Sequence, residues 1–481
     1  MDYDKLGFRC GIEIHNRLNT KHKLFCNCSP HFSNQKPYKI VMRKLRAVAG
    51  EMGQIDIAAI YEYLRDRTFY YQVFNDSTCL VELDEEPPHE INKEAFEIAL
   101  QIARLLKCEI PNEIHVMRKT VIDGSNTAGF QRTAIVGING VIETSKGNVR
   151  ITNVSLEEES AGIVDQSGND ITYRLDRLGI PLIEIGTETD IKDSEHAQEV
   201  AKKLGMFVRS TGKSQRGIGV TRQDVNVSIR GGARVEVKGV QELDSIPKIV
   251  ENEVNRQREM ILKKEIPKKE TRVVKDETTE FLRPLPGGER MYPETDVPPI
   301  IITEQFLKQI KLPETLEEKY KKYLKLLPKE MAEQIIWNEY SDYFEKFYKK
   351  YEPVIVANTF ISTIKDLRRQ GFDTYILTED YFEELFANVK NKKIAKEAIP
   401  NILEVVLKEN IPINEAIVKY GFKALSEEEL RKIIREIFRK YPHLVKEKRI
   451  SALMGEVMKS ARGKIDGKTI SKVLNEELKK E

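Results

Sequence analysis

The stretch GIEIHNRLNTKHKLFCNCS (residues 11–29) combines strand patterning with an unusual group of polar side chains. Apolar residues alternate with Glu13 and His15 in its first half, and residues two apart in a strand lie on one face of a sheet. The stretch therefore predicts a β-strand that presents a carboxylate and an imidazole in one direction, shortly before Cys26 and Cys28. A metal ion is the first ligand that this group suggests.

The β-rich texture continues to about residue 302. Short β-branched segments such as NVRITNVSLEEE (148–159) and IPLIEIGTETDI (180–191) are separated by Gly, Asn and Asp turn signals. Two helical patterns interrupt them, at 93–107 and at 194–212, the second with Ser194 as its expected cap. This part of the chain predicts an α+β fold built around an antiparallel sheet.

Beyond residue 303 the pattern is helical. The clearest case is SEEELRKIIREIFRK (426–440), where Ser426 and Glu429 predict a capping box in front of an apolar stripe. We expect three domains: an α+β cradle at 1–302, an all-α domain at 303–405 and a basic α-helical tail at 406–481. The charged segment at 263–280 is expected to be an exposed connection within the cradle.

Bulk composition narrows the class of protein. The 481 residues carry a net charge of +2, with 40% hydrophobic residues and five cysteines. No apolar run is long enough to cross a membrane, and the first ten residues lack the apolar core of a signal peptide. A reducing cytoplasm fits the few cysteines.

The charge is unevenly distributed along the chain. Residues 421–481 contain 16 Lys/Arg and 10 Asp/Glu, a local charge of +6. Such a basic tail suits a polyanion partner such as RNA. A solvated helical face would explain the same charge.

Several carboxylates interrupt strand-like segments. Glu184 stands in an apolar strand, where an unpaired charge would cost several kcal/mol. The other polar residues of this kind are Glu157, Asp224, Asn226 and Glu236. Several acids with a single imidazole favour Mg²⁺ over Zn²⁺. The alternative is that each acid is exposed at a sheet edge or paired with an arginine.

A basic hairpin and a thiol group complete the candidate sites. RKTVIDGSNTAGFQRT (118–133) offers Arg118, Lys119 and Arg132 beside a Gly/Ser/Asn turn that could hold ATP phosphates without a Walker loop. TGKS (211–214) lacks the earlier glycine of a P-loop, and Gly212 is better explained as a helix C-cap.

Cys26, Cys28 and Cys79 could bind zinc with Glu82 or His22, or they could be small buried apolar residues.

Several segments of the chain resemble archaeal glutamyl-tRNA(Gln) amidotransferase E subunits, which are related to the bacterial and organellar B subunits. They are residues 11–29 and 118–133, quoted above, and NDSTCLVELDEEPPHEIN (75–92), LDRLGIPLIEI (175–185), RQDVNVSIRGGARVEVKG (222–239) and GEVMKSARGKIDGKTISKVLNEEL (455–478). The resemblance extends over nearly the whole chain. It implies a ligase of protein biosynthesis that phosphorylates the γ-carboxylate of Glu-tRNA(Gln) with ATP and Mg²⁺ and then amidates it with ammonia.

The resemblance also implies roles for individual residues and a partner. His15, Glu157 and Glu184 would bind Mg²⁺; Glu13, Asp224 and Glu236 would line a second cation or phosphate position; Lys119 would meet phosphate. Arg118, Arg132 and Asn226 complete the expected nucleotide-binding set. Ammonia would come from an asparaginase-like D subunit in a hetero-oligomer, and the tail would bind tRNA.

One departure from the family and two competing interpretations accompany this resemblance. E subunits usually carry an inserted domain similar to one in bacterial aspartyl-tRNA synthetases, whereas this chain has only the short segment near 263–280. The chain could instead be a B-like subunit that works with an amidase-type glutaminase, although a complete C-x-x-C pair is missing. It could also be a tRNA-binding protein without chemistry, which would leave the acidic residues unexplained.

Overall fold

The computed structural model describes residues 1–49, 53–217, 219–275, 278–287, 291–461, 464–465 and 467–480. The chain forms two compact units, Met1–Pro313 and Glu314–Glu481. The first is a mixed α/β unit and the second is helical, as the sequence predicts for an α+β protein. None of the described helices is both long and apolar enough to cross a lipid bilayer.

The first unit contains the described strands and five α-helices. The strands are β1 Arg9–Arg17, β2 Lys39–Arg43, β3 Thr68–Val73, β4 Glu113–Ile114, β5 Val116–Thr120, β6 Phe130–Thr144, β7 Gly147–Glu158, β8 Gly162–Ser167, β9 Asp170–Arg174, β10 Pro181–Thr187, β11 Thr221–Ser228, β12 Val235–Val240, β13 Glu270–Lys275, β14 Thr278–Pro284, β15 Met291–Pro293 and β16 Ile300–Ile301. The helices are α1 Ile57–Leu64, α2 Lys93–Leu105, α3 Ser194–Ser210, α4 Ile246–Leu262 and α5 Glu304–Gln309.

The largest sheet among the described residues has ten strands in the order β14-β13-β12-β11-β1-β10-β7-β6-β5-β15. All its pairs are antiparallel except β12 with β13. Its central strand β1 lies between β10 and β11. Residues that are distant in sequence therefore become neighbours beside Glu13 and His15.

The two faces of this sheet differ in chemistry. Ile12, Ile14, Ile183 and Ile185 point to one face, where they join one hydrophobic core with buried residues of α2, α3 and α4. Because side chains alternate along a strand, the residues between them, including Glu13 and His15, point to the opposite face. Helices cover the apolar face, and the polar face carries the candidate site.

A smaller sheet in the order β2-β3-β9-β8 lies in the same unit. Its core includes Phe69 and Tyr71, and the turn after β5 packs against it. Gly124 in that turn has a φ of +90°, and a Cβ atom there would lie 2.2 Å from Phe69 Cδ1. Both the backbone conformation and the close approach require glycine at this position.

The second unit is made of short helices. They are α6 Leu316–Tyr323, α7 Lys329–Ile336, α8 Ser341–Phe347, α9 Pro353–Asn358, α10 Ile364–Arg369, α11 Glu379–Lys390, α12 Ile399–Glu409, α13 Ile413–Lys419, α14 Glu427–Lys440, α15 Pro442–Lys446, α16 Ile450–Ala461 and α17 Gly467–Leu478. One core, rich in Phe and Tyr, extends from Tyr323 to Ile417, and a separate core joins α14, α16 and α17. The predicted capping box of Ser426 and Glu429 begins α14.

Several details differ from the sequence-based expectations. The 263–280 segment is more than an exposed connection, because β13 pairs with β12 and Thr271 is fully buried; Asp276 and Glu277 lie outside the described residues. Asp193 rather than Ser194 caps α3, through a hydrogen bond from the His196 backbone N–H. Thr211 is the C-cap of α3, and Gly212, which was expected there, follows it with a φ of +67°, the left-handed conformation that commonly ends a helix.

The unit boundary also differs from the expected one. The expected boundary at 302/303 falls before α5, which stays in the first unit because Arg104 Nη1 donates to the carbonyls of Leu307 and Ile310, each at 3.0 Å. The expected boundary at 405/406 falls inside α12.

Candidate functional site

Five neighbouring strands, in the order β12-β11-β1-β10-β7, bring His15 and the predicted acids to one face of the large sheet. His15 on β1 lies directly opposite Glu184 on β10, and Glu13 lies directly opposite Asp224 on β11. Glu157 comes from β7, the strand beyond β10. The side chains gather in two acidic groups, which we name the first and second acidic clusters.

The first acidic cluster consists of His15, Glu157 and Glu184. One nitrogen or oxygen atom of each lies within 4.8 Å of the others. His15 Nε2 is 3.3 Å from Glu184 Oε2. Lys119 Nζ donates to Glu157 Oε1 at 2.5 Å and lies 3.4 Å from Glu184 Oε2. The cluster thus joins two carboxylates, one imidazole and one ammonium group.

Mutual charges set the protonation of this cluster. Burial raises the pKa of Glu184, but Lys119 and His15 outweigh burial, and this pKa lies well below its usual range. Burial, followed by the charge of Glu184, raises the pKa of Glu157. Burial lowers the pKa of His15, yet its hydrogen bond to Glu184 prevails and the pKa is raised. Glu184 is therefore the carboxylate that stays charged most readily.

The second acidic cluster consists of Glu13, Asp224 and Glu236, whose nearest oxygen atoms also lie within 4.8 Å of one another. Lys238 Nζ donates to Asp224 Oδ2 at 2.6 Å and lies 3.2 Å from Glu236 Oε1. Asn226 Nδ2 donates to Glu13 Oε1 at 3.2 Å. As in the first cluster, one lysine lies among the carboxylates.

Burial and neighbouring charges together set the protonation of the second cluster. Burial, then the charges of Glu184 and Glu236, raises the pKa of Glu13 to about 7. Burial lowers the pKa of Lys238, but Asp224 and Glu236 outweigh it, so this ammonium group is held in its charged form. A site that raises a carboxyl pKa and retains a lysine ammonium group attracts cations.

Both clusters have the donor chemistry of a Mg²⁺ site. Carboxylate oxygens are the ligands that Mg²⁺ prefers, and an imidazole is a compatible neighbour. His15, Glu157 and Glu184 could hold one ion, and Glu13, Asp224 and Glu236 a second. In the protein itself, the ammonium groups of Lys119 and Lys238 offset part of the negative charge of these carboxylates.

Arg118 and Arg132, which were expected beside Lys119 at one phosphate position, lie apart from Lys119 in the structure. Strand alternation places Arg118 and Lys119 on opposite faces of β5. Arg118 Nη2 donates to Glu294 Oε1 at 2.5 Å, and Arg132 pairs with Glu158 at 3.2 Å and with Glu294 at 2.8 Å. Both guanidinium groups therefore have carboxylate partners away from the acidic clusters.

The thiol residues form a third group with a carboxylate. Cys26 Sγ, Cys28 Sγ, Cys79 Sγ and an oxygen of Glu82 lie within 4.8 Å of one another. Cys26 donates to Glu82 Oε1 at 2.9 Å, and the buried Lys23 pairs with the same oxygen at 3.0 Å. Glu82 is thus the fourth ligand candidate. His22 instead lies on the surface, with Nδ1 3.1 Å from the Asn27 carbonyl.

Comparison with known proteins gives the family. A model described as the GatB/GatE catalytic domain matches residues 8–308, and one described as a GatB domain matches residues 342–478. The chain belongs to the GatB/GatE family. The glutamyl-tRNA(Gln) amidotransferase E subunit of Methanocaldococcus jannaschii is 36% identical over 100% of this chain and 99% of the relative. The corresponding protein of Methanosarcina barkeri is 36% identical over 99% of this chain and 98% of the relative.

The length of these alignments bears on the inserted domain. The first alignment has 626 positions and this chain has 481 residues, so at least 145 positions contain no residue of this chain. This member of the GatB/GatE family is therefore shorter than its archaeal relatives by an amount that suits a missing domain.

The structure adds site residues that the sequence reasoning missed. Gln131 Nε2 and Thr133 Oγ1 donate to Glu157 at 3.1 and 3.0 Å, and Lys238 completes the second cluster. Lys238 follows Glu236 by two residues in RVEVKGV, so strand alternation could have found it. Gln131 and Thr133 carried no comparable signal, because their contacts depend on the pairing of β6 with β7.

Proposed function

We propose that this chain is the glutamyl-tRNA(Gln) amidotransferase subunit that phosphorylates the γ-carboxylate of tRNA-bound glutamate with ATP and amidates it with ammonia. The observation that carries the proposal is the pair of acidic clusters, each with its own lysine, on one face of the sheet in a GatB/GatE chain. Phosphorylation converts a carboxylate oxygen into a phosphate leaving group, and ammonia then displaces phosphate to form the amide.

The chain's own residues divide this work. His15, Glu157 and Glu184 would hold one Mg²⁺, with Glu13, Asp224 and Glu236 available for a second cation. When bound, Mg²⁺ offsets the negative charge of the transferred phosphoryl group. Lys119 contacts Glu157 and Glu184 of the first cluster and would meet phosphate charge there. Gln131 and Thr133 hold Glu157 in place by hydrogen bonds.

A partner must supply the ammonia. The residues predicted for catalysis are carboxylates, one lysine and one histidine. None of them is a hydroxyl or thiol nucleophile of the kind that a glutaminase uses. An asparaginase-like D subunit in a hetero-oligomer would fill this role. The substrate, Glu-tRNA(Gln), would be held in part by the basic tail.

Replacing Glu184 tests the proposal. Glu184→Gln keeps the shape of the side chain but removes the charge that a Mg²⁺ ligand needs. We expect ATP cleavage that depends on Glu-tRNA(Gln) to fall by about a hundredfold or more, with the thermal unfolding temperature little changed. Glu143→Gln, at an exposed acid on β6, is the matched control and should retain activity. Turnover at the wild-type rate in Glu184→Gln would remove Glu184 from the site.

A further inference from the structure

Arg17 is a buried cation that forms no ion pair with the described residues. It is only 4% exposed, and its Nε atom has no hydrogen-bond partner in the described part of the chain. The ion pairs of the described residues include none that involves Arg17, and its guanidinium carbon lies 5.1 Å from the centre of the Phe32 ring. An unpaired charge in such a place lowers stability unless an anion supplies the missing acceptor.

Two further arginines lie nearby and share one carboxylate. Arg177 Nη2 and Arg222 Nη2 donate to Glu159 Oε1 at 3.0 and 2.9 Å. Arg177 Nε and Glu159 Oε2 are buried and have no hydrogen-bond partner among the described residues. Glu159, Arg177 and Arg222 all lie close enough for their charges to act on Arg17. Three guanidinium groups against one carboxylate leave a local charge of about +2.

This arginine cluster adjoins the first acidic cluster. Arg17 follows His15 by two residues on β1, so it points to the same face about 7 Å further along the strand. Arg222 on β11 lies directly opposite His15. An anion at the arginine cluster would therefore lie next to the proposed Mg²⁺ position.

Resting on the function proposed above, we propose that Arg17, Arg177 and Arg222 bind a phosphate group of the nucleoside triphosphate. Guanidinium groups match phosphate oxygens in charge and in planar, bidentate geometry. The burial of Arg17 favours a small phosphate ligand, because RNA phosphates are usually held by exposed lysines and arginines along a surface. The triphosphate then has arginines at one end and metal ligands at the other.

Binding of inorganic tripolyphosphate to the full chain tests this proposal. Isothermal titration should show binding by the wild type, and Arg17→Gln should weaken it by about tenfold or more, because a charged hydrogen-bond partner is lost. Arg17→Lys, which keeps the charge but not the planar fork, should bind with intermediate affinity. Arg150→Gln, at an exposed ion pair with Asp190, is the control and should bind as the wild type does. The same ranking is expected for ATP with Mg²⁺.

Stability measurements separate ligand binding from a structural role. Without ligand, Arg17→Gln should unfold at the wild-type temperature or above it, since an uncompensated buried charge is removed. Wild-type tripolyphosphate affinity in Arg17→Gln would overturn the proposal, and so would an absence of tripolyphosphate binding by the wild type. The proposal would also be overturned if Arg17→Gln weakened the binding of a CCA-ended RNA hairpin but not that of tripolyphosphate, because the arginines would then bind RNA.

The outcome is independent of the proposed reaction. Tripolyphosphate binding needs neither tRNA nor a glutamate acceptor. If Arg17→Gln loses this binding while the wild-type chain fails to phosphorylate Glu-tRNA(Gln), the anion site stands and the proposed function falls.

Discussion

At the scale of single residues, the group formed by Cys26, Cys28, Cys79 and Glu82 allows a direct test for zinc. Three thiols and a carboxylate are a donor set that tetrahedral zinc accepts. We expect the purified chain to contain about one equivalent of zinc and its removal by a chelator to lower the unfolding temperature, because metal binding contributes to folding free energy. Elemental analysis and calorimetry measure both quantities.

A matched variant makes the zinc test specific. Cys79→Ser should lose the metal, whereas Cys108→Ser, at a thiol outside this group, should retain it. A metal-free wild-type chain with unchanged stability would show instead that the thiols are small side chains in a turn, with Cys26 and Cys28 hydrogen-bonded to Glu82.

At the scale of elements, the bundle of α14, α16 and α17 depends on one buried carboxylate. The side chain of Glu477 on α17 is 4% exposed and contacts Arg431, Arg435 and Lys480. Hydrogen bonds from Arg435 and then Lys480 lower the pKa of Glu477 to about 2. An unfolded glutamate has a pKa of about 4.3, so the folded state favours the charged form.

The sign of the pH dependence follows from this lowered pKa. The stabilisation from Glu477 is present above about pH 4.3 and is lost as the pH falls toward about 2. Glu477→Gln should therefore unfold at a lower temperature than the wild type at pH 6, and the difference should narrow as the pH falls to 3. Scanning calorimetry at both pH values measures it. A difference that stays constant with pH would contradict ionisation of Glu477 as the cause.

The strands show what could be predicted locally. That Glu13 and His15 share a face follows from the two-residue period of a strand, and the structure agrees. That Glu184 and Asp224 lie opposite them depends on β1 pairing with both β10 and β11, which no local pattern records. Only the resemblance to a known family implies, from sequence, that Glu184 and Asp224 belong with Glu13 and His15.

The arginines show the limit of local reasoning. Proximity in sequence groups Arg118 and Arg132 with Lys119, but strand alternation separates Arg118 from Lys119. Their partner Glu294 lies far along the chain and carried no signal of its own. The unpaired Arg17 was missed for a related reason, since its burial is visible only in the folded chain.

At the scale of the whole molecule, the basic tail and the acidic clusters should have separable roles. Lys432, Lys468 and Lys472 are exposed and take part in no described ion pair. Changing all three to glutamine should weaken tRNA binding and reduce the slope of log affinity against log salt by about 1 to 3, because fewer counterions are released. Filter binding across a salt series measures this slope.

A second triple variant controls for the loss of charge. Lys321, Lys365 and Lys390 are also exposed, in helices that precede the tail, and their change to glutamine should leave the slope unchanged. Equal effects of the two triple variants would show that the tail has no special role in tRNA binding and that its charge marks a solvated helical face.

Transfer of an oxygen atom from glutamate to phosphate is the most direct test of carboxylate activation. Glu-tRNA(Gln) labelled with ¹⁸O in the glutamate side-chain carboxylate is supplied to the full chain with ATP, Mg²⁺ and ammonium chloride, and the released phosphate is examined by mass spectrometry. If the γ-carboxylate attacks ATP and ammonia then displaces phosphate, each glutamine formed transfers one carboxylate oxygen to phosphate. We expect one ¹⁸O per phosphate in step with glutamine formation. Unlabelled phosphate, with glutamine still formed, would contradict carboxylate activation by this chain.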